Sequence, residues 1–131
     1  MTAHPNVTMI RDLFTAFAEG DLATIEQTVP DDAVWHFPGR SGRLAGVHRG
    51  RDAILAFLLN VVELTEGSFD LELIDVLADD RWGVVLFRGS GRRRGKTLDN
   101  PTCLRMRLEN QQVVEVHEFV WDLYHVDDFW S

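Results

Sequence analysis

The order of the hydrophobic patterns constrains the fold of this chain more than any other feature. Up to Gly67, apolar residues recur mainly with helical spacing, and from Phe69 onward they follow the pattern of β-strands. Helices followed by a run of consecutive antiparallel strands indicate an α+β fold, with the helices packed on one face of a curved sheet. The 131 residues show no linker and no internal repeat, so we expect a single domain over residues 1–131.

Three helices are predicted in the N-terminal half. The first begins near Pro5 and ends at Gly20, since proline suits a helix start and glycine a helix end. Asp21 is expected to cap a short second helix. The third carries Asp52 in its first turn and ends at Gly67.

Five strands are predicted, separated by turns rich in charged residues and glycine. A loop is expected over Arg40–Gly50, between the first strand and the third helix. The last strand is long, rich in β-branched and aromatic residues, and free of Gly and Pro. The predicted strands are Ala33–Phe37, Phe69–Ala78, Arg81–Gly91, Thr97–Leu108 and Gln111–Tyr124.

Composition excludes several classes of function. With 21 acidic and 13 basic residues the net charge is −8, which argues against a nucleic-acid partner. A single cysteine cannot form an internal disulfide. The five histidines lack metal-ligand spacing, and no nucleotide-binding or hydrolase motif occurs, so we expect no metal and no cofactor. No stretch resembles a signal peptide or a membrane span, so a cytoplasmic protein is expected.

The last strand supplies the leading catalytic candidate. Side chains alternate between the two faces of a strand. One face here holds Val114, Val116, Glu118, Val120, Asp122 and Tyr124. Apolar surroundings raise the pKa of a carboxyl group, which suits acid/base catalysis. We therefore predict Asp122 as the catalytic residue and Glu118 as a second polar group in the pocket. In the alternative, Asp122 caps a turn or pairs with an arginine. The opposite face, which includes His117 and Trp121, is expected to be exposed or to form a dimer surface.

The first strand leaves its orientation open. If hydrophobicity decides it, Trp35 and Phe37 face the core or pocket and His36 lies at the rim or in solvent. We treat His36 as a second catalytic candidate. Arg88 is the cation expected to meet a buried acid and help bind the substrate; the alternative is a surface salt bridge. The remaining expected substrate contacts are Trp35, Phe37, Phe57, Leu104, Met106, Glu118 and Val120.

Several short motifs occur in an order that resembles a known superfamily. They include Asp31-Asp32-Ala33-Val34-Trp35-His36-Phe37-Pro38-Gly39, Gly46-x-x-x-Gly50-Arg51-Asp52, and Trp121-Asp122. Over nearly the whole chain, this order resembles the nuclear transport factor 2-like superfamily, in particular its SnoaL-like branch related to ketosteroid isomerase. The resemblance implies a cone-shaped sheet wrapped around helices, a deep apolar pocket for a small hydrophobic molecule, and frequent homodimers.

The resemblance also separates the activities found within the superfamily. Ketosteroid isomerases use an aspartate just before the proline of the first strand, where this chain has His36 or Phe37. Their oxyanion-hole residues correspond here to the apolar Leu13 and Leu104. We therefore do not expect ketosteroid isomerase activity.

Two other branches place an aspartate late in the last strand. Asp122 matches the acid/base aspartate of SnoaL-like polyketide cyclases. Limonene epoxide hydrolases also need an Arg–Asp pair, but Ser90 stands where the aspartate would follow Arg88. The resulting hypothesis is a cofactor-independent acid/base enzyme of cyclase, isomerase or hydrolase type. The alternatives are a ligand-binding protein without catalysis and a dimeric interaction module.

Overall fold

Four helices and one six-stranded sheet make up residues 3–131, the part of the chain that the computed structural model describes. None of these helices is long and apolar enough to cross a membrane. In chain order the elements are α1 (Pro5–Glu19), α2 (Leu22–Thr28), β1 (Val34–Phe37), β2 (Gly46–Arg49), α3 (Arg51–Leu64), β3 (Asp70–Ala78), β4 (Trp82–Arg93), β5 (Lys96–Glu109), β6 (Gln112–Val120) and α4 (Leu123–Trp130).

The first two helices begin and end where the sequence predicts. Pro5 opens α1, and Gly20 ends it in the left-handed conformation, with φ of 69°. The Asp21 side chain accepts a hydrogen bond from the backbone N–H of Thr24 and caps α2. These predictions succeed because caps depend on local chemistry.

The sheet has the strand order β2-β1-β6-β5-β4-β3. Strands β3 to β6 form an antiparallel meander, whereas β1 pairs in parallel with β6 and antiparallel with β2. The sheet is curled but not closed, and the helices pack against its inner face. The predicted α+β cone is therefore confirmed.

Two predictions about the strands were wrong. The region Arg40–Gly50 is not all loop, because β2 lies within it and pairs with β1. The last strand does not extend to Tyr124, because β6 ends at Val120 and α4 follows. The helix forms because Val126, Phe129 and Trp130 have helical spacing and bury one apolar face.

A β-bulge sets the orientation of β6. Arg107 pairs with Glu115 but Leu108 pairs with Val113, so one extra residue, Val114, is inserted on β6. Val113 and Val116 therefore both face the core, and the predicted grouping of Val114 with Val116 was wrong. From Val116 onward the alternation follows the prediction.

Helix α4 closes one end of the cone. Its residues Phe129 and Trp130 are buried in the core. The Asp127 carboxylate accepts hydrogen bonds from the backbone N–H groups of Arg40 and Ser41. The Arg93 guanidinium donates to the carbonyl of Phe129 at 3.1 Å, near the carboxyl end of the helix. Thus α4 is tied both to the loop after β1 and to the end of β4.

Gly42, in the loop after β1, packs closely against Trp130 of α4, and replacing it with alanine tests this packing. A Cβ at this position would lie 2.6 Å from the carbonyl oxygen of Trp130, so the loop and α4 must separate. We expect a loss of about 1–3 kcal/mol in the free energy of unfolding, measured with urea. The indole NMR signal of Trp130 should also shift.

Gly95→Ala is the matched control. Gly95 has φ of 75° but no heavy atom near the added Cβ, so this change carries backbone strain alone. It should leave the Trp130 signal in place. An unchanged Trp130 signal in Gly42→Ala would contradict the close packing.

Candidate functional site

The carboxyl group of Glu118 lies on the inner face of β6. Its cross-strand partner on β5 is the fully buried Leu104. Its Oε1 atom accepts a hydrogen bond from the indole N–H of Trp35 at 3.1 Å. The residue as a whole is half-buried, so it is not sealed inside the core.

Burial raises the pKa of Glu118 to about 7, well above the usual value for glutamate. The hydrogen bond from Trp35 acts in the opposite direction, because it favours the ionised carboxylate. At neutral pH both protonation states are therefore populated. A group of this kind can both accept and return a proton, as acid/base catalysis requires.

An aromatic cluster surrounds the donor to Glu118. The rings of Trp35 and Phe37 lie 5.6 and 5.4 Å from that of Phe57, measured between centroids. His48, from the strand that was not predicted, stacks on Phe57 at 4.3 Å and hydrogen-bonds to the carbonyl of Leu44. The inward orientation of Trp35 and Phe37 is the one that hydrophobicity favoured.

Strand β5 adds two buried polar residues to the inner face. The hydroxyl group of Thr102 donates a hydrogen bond to the backbone carbonyl of Asn100. The Oδ1 atom of Asn100 is buried but meets no hydrogen-bond donor among residues 3–131. Leaving a buried acceptor unpaired costs about 1–3 kcal/mol of folding stability, and a hydrogen-bond donor on a ligand would offset this cost. The strand register puts Asn100 four residues from Leu104, roughly 13 Å from the level of Glu118.

A small cavity borders the aromatic cluster. One apolar cavity of about 10 Å³ lies beside Trp35, Met106 and Val116. This volume holds about one water molecule, so the deep pocket expected from the resemblance is not open. Trp35 connects the cavity with Glu118, because its ring lines the cavity and its indole N–H donates a hydrogen bond to the Glu118 carboxyl group. Phe57, Leu104 and Met106 are buried in the core, and Val120 is half-buried.

The predicted catalytic residues Asp122 and His36 lie away from Glu118. Asp122 is exposed and caps α4, accepting a hydrogen bond from the backbone N–H of His125 at 3.1 Å. His36 is half-buried, and its Nε2 lies 2.8 Å from Glu115 on the outer face of the sheet. The structure thus does not group Asp122 and His36 with the inner site, and their catalytic role stays a prediction.

The expectation that Arg88 meets a buried acid was wrong. Arg88 is exposed and makes two hydrogen bonds of 2.7 Å to the carboxylate of Asp99, which is also exposed. This is the surface salt bridge considered as the alternative, because residue 88 falls on the outer face of β4. Sequence reasoning missed Asn100, although a lone amide on an otherwise largely apolar strand face was a usable signal.

Comparison with known proteins shows the family of the chain. Residues 10–116 match the SnoaL-like domain. The chain belongs to this family. The uncharacterized protein Rv0034 of Mycobacterium tuberculosis is 31% identical over the full length of both chains. The family match ends at Val116, so Glu118 and α4 lie beyond it.

Solved structures share the whole architecture. The chain resembles Bal32a, from a soil-derived mobile gene cassette, with 36% identity, a TM-score of 0.88 and 96% of each chain covered. A Jannaschia protein assigned as a SnoaL-like polyketide cyclase superposes with a TM-score of 0.78 at 20% identity, covering 100% of this chain and 97% of the other. These likenesses confirm the predicted fold, and the match over residues 10–116 confirms the predicted family.

Glu118 should make the stability of the protein depend on pH. Its folded-state pKa is raised, so its full contribution is present below the unfolded-state value of 4.5 and falls as pH rises toward 7. Glu118→Gln stays neutral and avoids this loss. We expect the free energy of unfolding of the variant to exceed that of wild type by about 3 kcal/mol at pH 8 and to differ little from it at about pH 4.

Urea unfolding across this pH range measures the effect. Glu72→Gln, at an exposed position on β3, serves as the control and should leave the pH profile unchanged. Parallel profiles for wild type and Glu118→Gln would show that the Glu118 carboxyl group titrates as an exposed one.

Proposed function

We propose that this SnoaL-like protein is a cofactor-independent acid/base enzyme acting on a small hydrophobic molecule, with Glu118 as the group that moves the proton. One observation carries the proposal: a carboxyl group with a pKa of about 7 stands on the inner face of the sheet, held by Trp35. Its reactions would be of cyclase or isomerase type. We also propose a cytoplasmic location. The net charge of −8 supports the further proposal that the protein has no nucleic-acid partner.

The proposed step is a proton transfer next to a carbonyl group. Ionised Glu118 removes a proton from the carbon beside the carbonyl, and the electron pair of the broken C–H bond forms an enolate. Protonated Glu118 then returns the proton to the same or another carbon. In the ring-closing alternative, the enolate carbon attacks a second carbonyl carbon of the substrate, the C=O π electrons move to its oxygen, and Glu118 gives its proton to that oxygen. Because Trp35 occupies Oε1, Oε2 remains for the substrate.

The surroundings define the proposed substrate class. The walls combine the aromatic residues Trp35, Phe37 and Phe57 with Leu104 and Met106. A flat apolar molecule packs well against such a surface. Asn100 would accept a hydrogen bond from its far end, so a polycyclic molecule with a hydroxyl group fits better than a single ring.

Substrate entry requires a change from the described conformation, because the cavity of about 10 Å³ cannot hold such a molecule. Helix α4 follows β6 directly and covers one end of the cone. We propose that side chains at this end, with α4, move aside during binding. The fold shared with the Jannaschia protein assigned as a polyketide cyclase is consistent with this substrate class.

Deuterium exchange tests the proposed chemistry without knowledge of the natural substrate. Polycyclic hydroxyketones are incubated with the protein in D₂O, and NMR follows the loss of the hydrogen next to the carbonyl. Wild type should accelerate exchange, with a rate that rises with pH to a plateau above the Glu118 pKa of about 7. Glu118→Gln should slow it by about 100-fold or more.

The Asp122→Asn variant shows whether Asp122 or Glu118 is the catalytic acid, because asparagine preserves the helix cap while removing the charge. Full exchange activity is expected in this variant. If Asp122→Asn loses activity and Glu118→Gln keeps it, Asp122 is the catalytic residue instead. If a ketone binds to wild type without any exchange, the protein is a ligand-binding module rather than an enzyme.

We further propose a homodimer formed through the outer face of the sheet. Phe119 is half exposed, and Arg105 lies between the rings of Phe119 and Trp82, at 5.8 and 5.7 Å from their centroids. Trp121 and Tyr124 are 85% and 91% exposed. Clustered aromatic residues and arginine are enriched at protein interfaces, and a second copy of this face would cover them.

Phe119→Glu should convert the dimer to a monomer, because it buries a charge against its own copy in the interface. Analytical ultracentrifugation measures the change. Leu59→Glu, at an equally exposed apolar position on α3, is the control and should stay dimeric. A wild-type protein that sediments as a monomer would refute the proposal.

A further inference from the structure

Three potential metal ligands meet on the outer face of the sheet. Glu115 and His117 are two residues apart on β6, so their side chains share one side of the strand. His36 on β1 lies directly opposite His117 in the parallel pair. One ligand atom from each residue lies within 4.8 Å of the others.

We propose that His36, Glu115 and His117 form a binding site for a divalent transition-metal ion. Two imidazoles and one carboxylate are a ligand set that zinc and non-haem iron use, with further positions left for water. Glu118 points to the opposite face of the same strand, so this site is separate from the proposed catalytic group. The inference therefore does not depend on the proposed function.

Only modest movement would complete the coordination. His36 Nε2 and Glu115 Oε2 are 2.8 Å apart, close to the roughly 3.3 Å between two ligand atoms on one zinc ion, given bonds of about 2.0 Å. The rings of His36 and His117 stack with centroids 4.0 Å apart and an angle of 6°. Their nitrogen lone pairs therefore lie in two nearly parallel planes, so one ring must turn about its Cβ–Cγ bond, a soft torsion, for both to meet at one ion.

An ion bound here would take the place of a proton. His36 Nε2 and Glu115 Oε2 share a hydrogen bond of 2.8 Å, and its proton is released when both atoms bind the ion. The side chains of His36 and Glu115 are 29% and 31% exposed in the single chain, so an ion can reach them from solvent before the outer faces of two copies pair.

Two arginines oppose a cation at this position. Arg105 approaches His117 Nδ1 at 3.3 Å, and Arg107 Nε lies 3.6 Å from Glu115. Both have other partners, since Arg107 also pairs with Glu109 and Arg105 packs between two aromatic rings. An incoming ion would displace the contact of Arg105 with His117, so Arg105→Gln should tighten metal binding severalfold.

Zinc titration of the chelator-treated full chain, followed by calorimetry, tests the site. Wild type should bind one Zn²⁺ ion per chain in a saturable manner. His36→Gln and His117→Gln should each weaken binding by about 100-fold or more, with unchanged circular dichroism. His4→Gln is the matched control, because His4 also lies 2.9 Å from a carboxylate, that of Asp80.

The His4 variant should bind zinc like wild type. Tighter binding by Arg105→Gln would support the site independently of the ligand variants. The proposal is wrong if wild type shows no saturable binding up to about 100 times the protein concentration. It is also wrong if His117→Gln binds as tightly as wild type, or if His4→Gln loses as much affinity as the ligand variants.

Discussion

The parallel pairing of β1 with β6 is the contact on which both candidate sites depend. Trp35 lies opposite Val116, and from there its indole N–H reaches Glu118 on the inner face. One residue further along β1, His36 lies opposite His117 on the outer face. The two strands are far apart in the sequence, so folding alone brings these groups together.

The inner site combines good packing with two local costs. The core around Leu104 and Met106 is fully buried, yet Glu118 is placed there with a raised pKa, and Asn100 keeps an unpaired oxygen. A structure selected for stability alone would avoid both, because apolar residues of similar shape would pack there without a desolvation penalty. The coexistence of the two costs on one face of the sheet is the strongest structural argument for a ligand site.

Local signals made much of the fold predictable. Pro5, Gly20 and Asp21 marked helix ends because capping depends on neighbouring residues only. The choice between Trp35 and His36 as the inward residue also followed from hydrophobicity. The excess length predicted for the last strand has a physical reason: aromatic residues on both sides of Asp122 favour a strand, and the burial of α4 against the cone overrides that preference.

The pairing of distant residues was beyond sequence reasoning. Glu118 was assigned to the correct face, but nothing in the chain alone showed that Trp35 would donate to it. The histidines looked scattered, because their proximity arises from the register of β1 on β6. Arg88 seemed placed for a buried acid, whereas strand alternation turned it outward toward Asp99.

The bulge at Val114 fixes which chemistry each face of β6 carries. Val113 faces the core, so regular alternation from it would turn Glu115 and His117 inward and Glu118 outward. The extra residue reverses this phase, so Val116 and Glu118 turn to the inner face and the two potential metal ligands turn to the outer face. A single inserted position therefore determines both the raised pKa of Glu118 and the exposure of the histidine cluster. Loss of the bulge would exchange the two faces rather than weaken one of them.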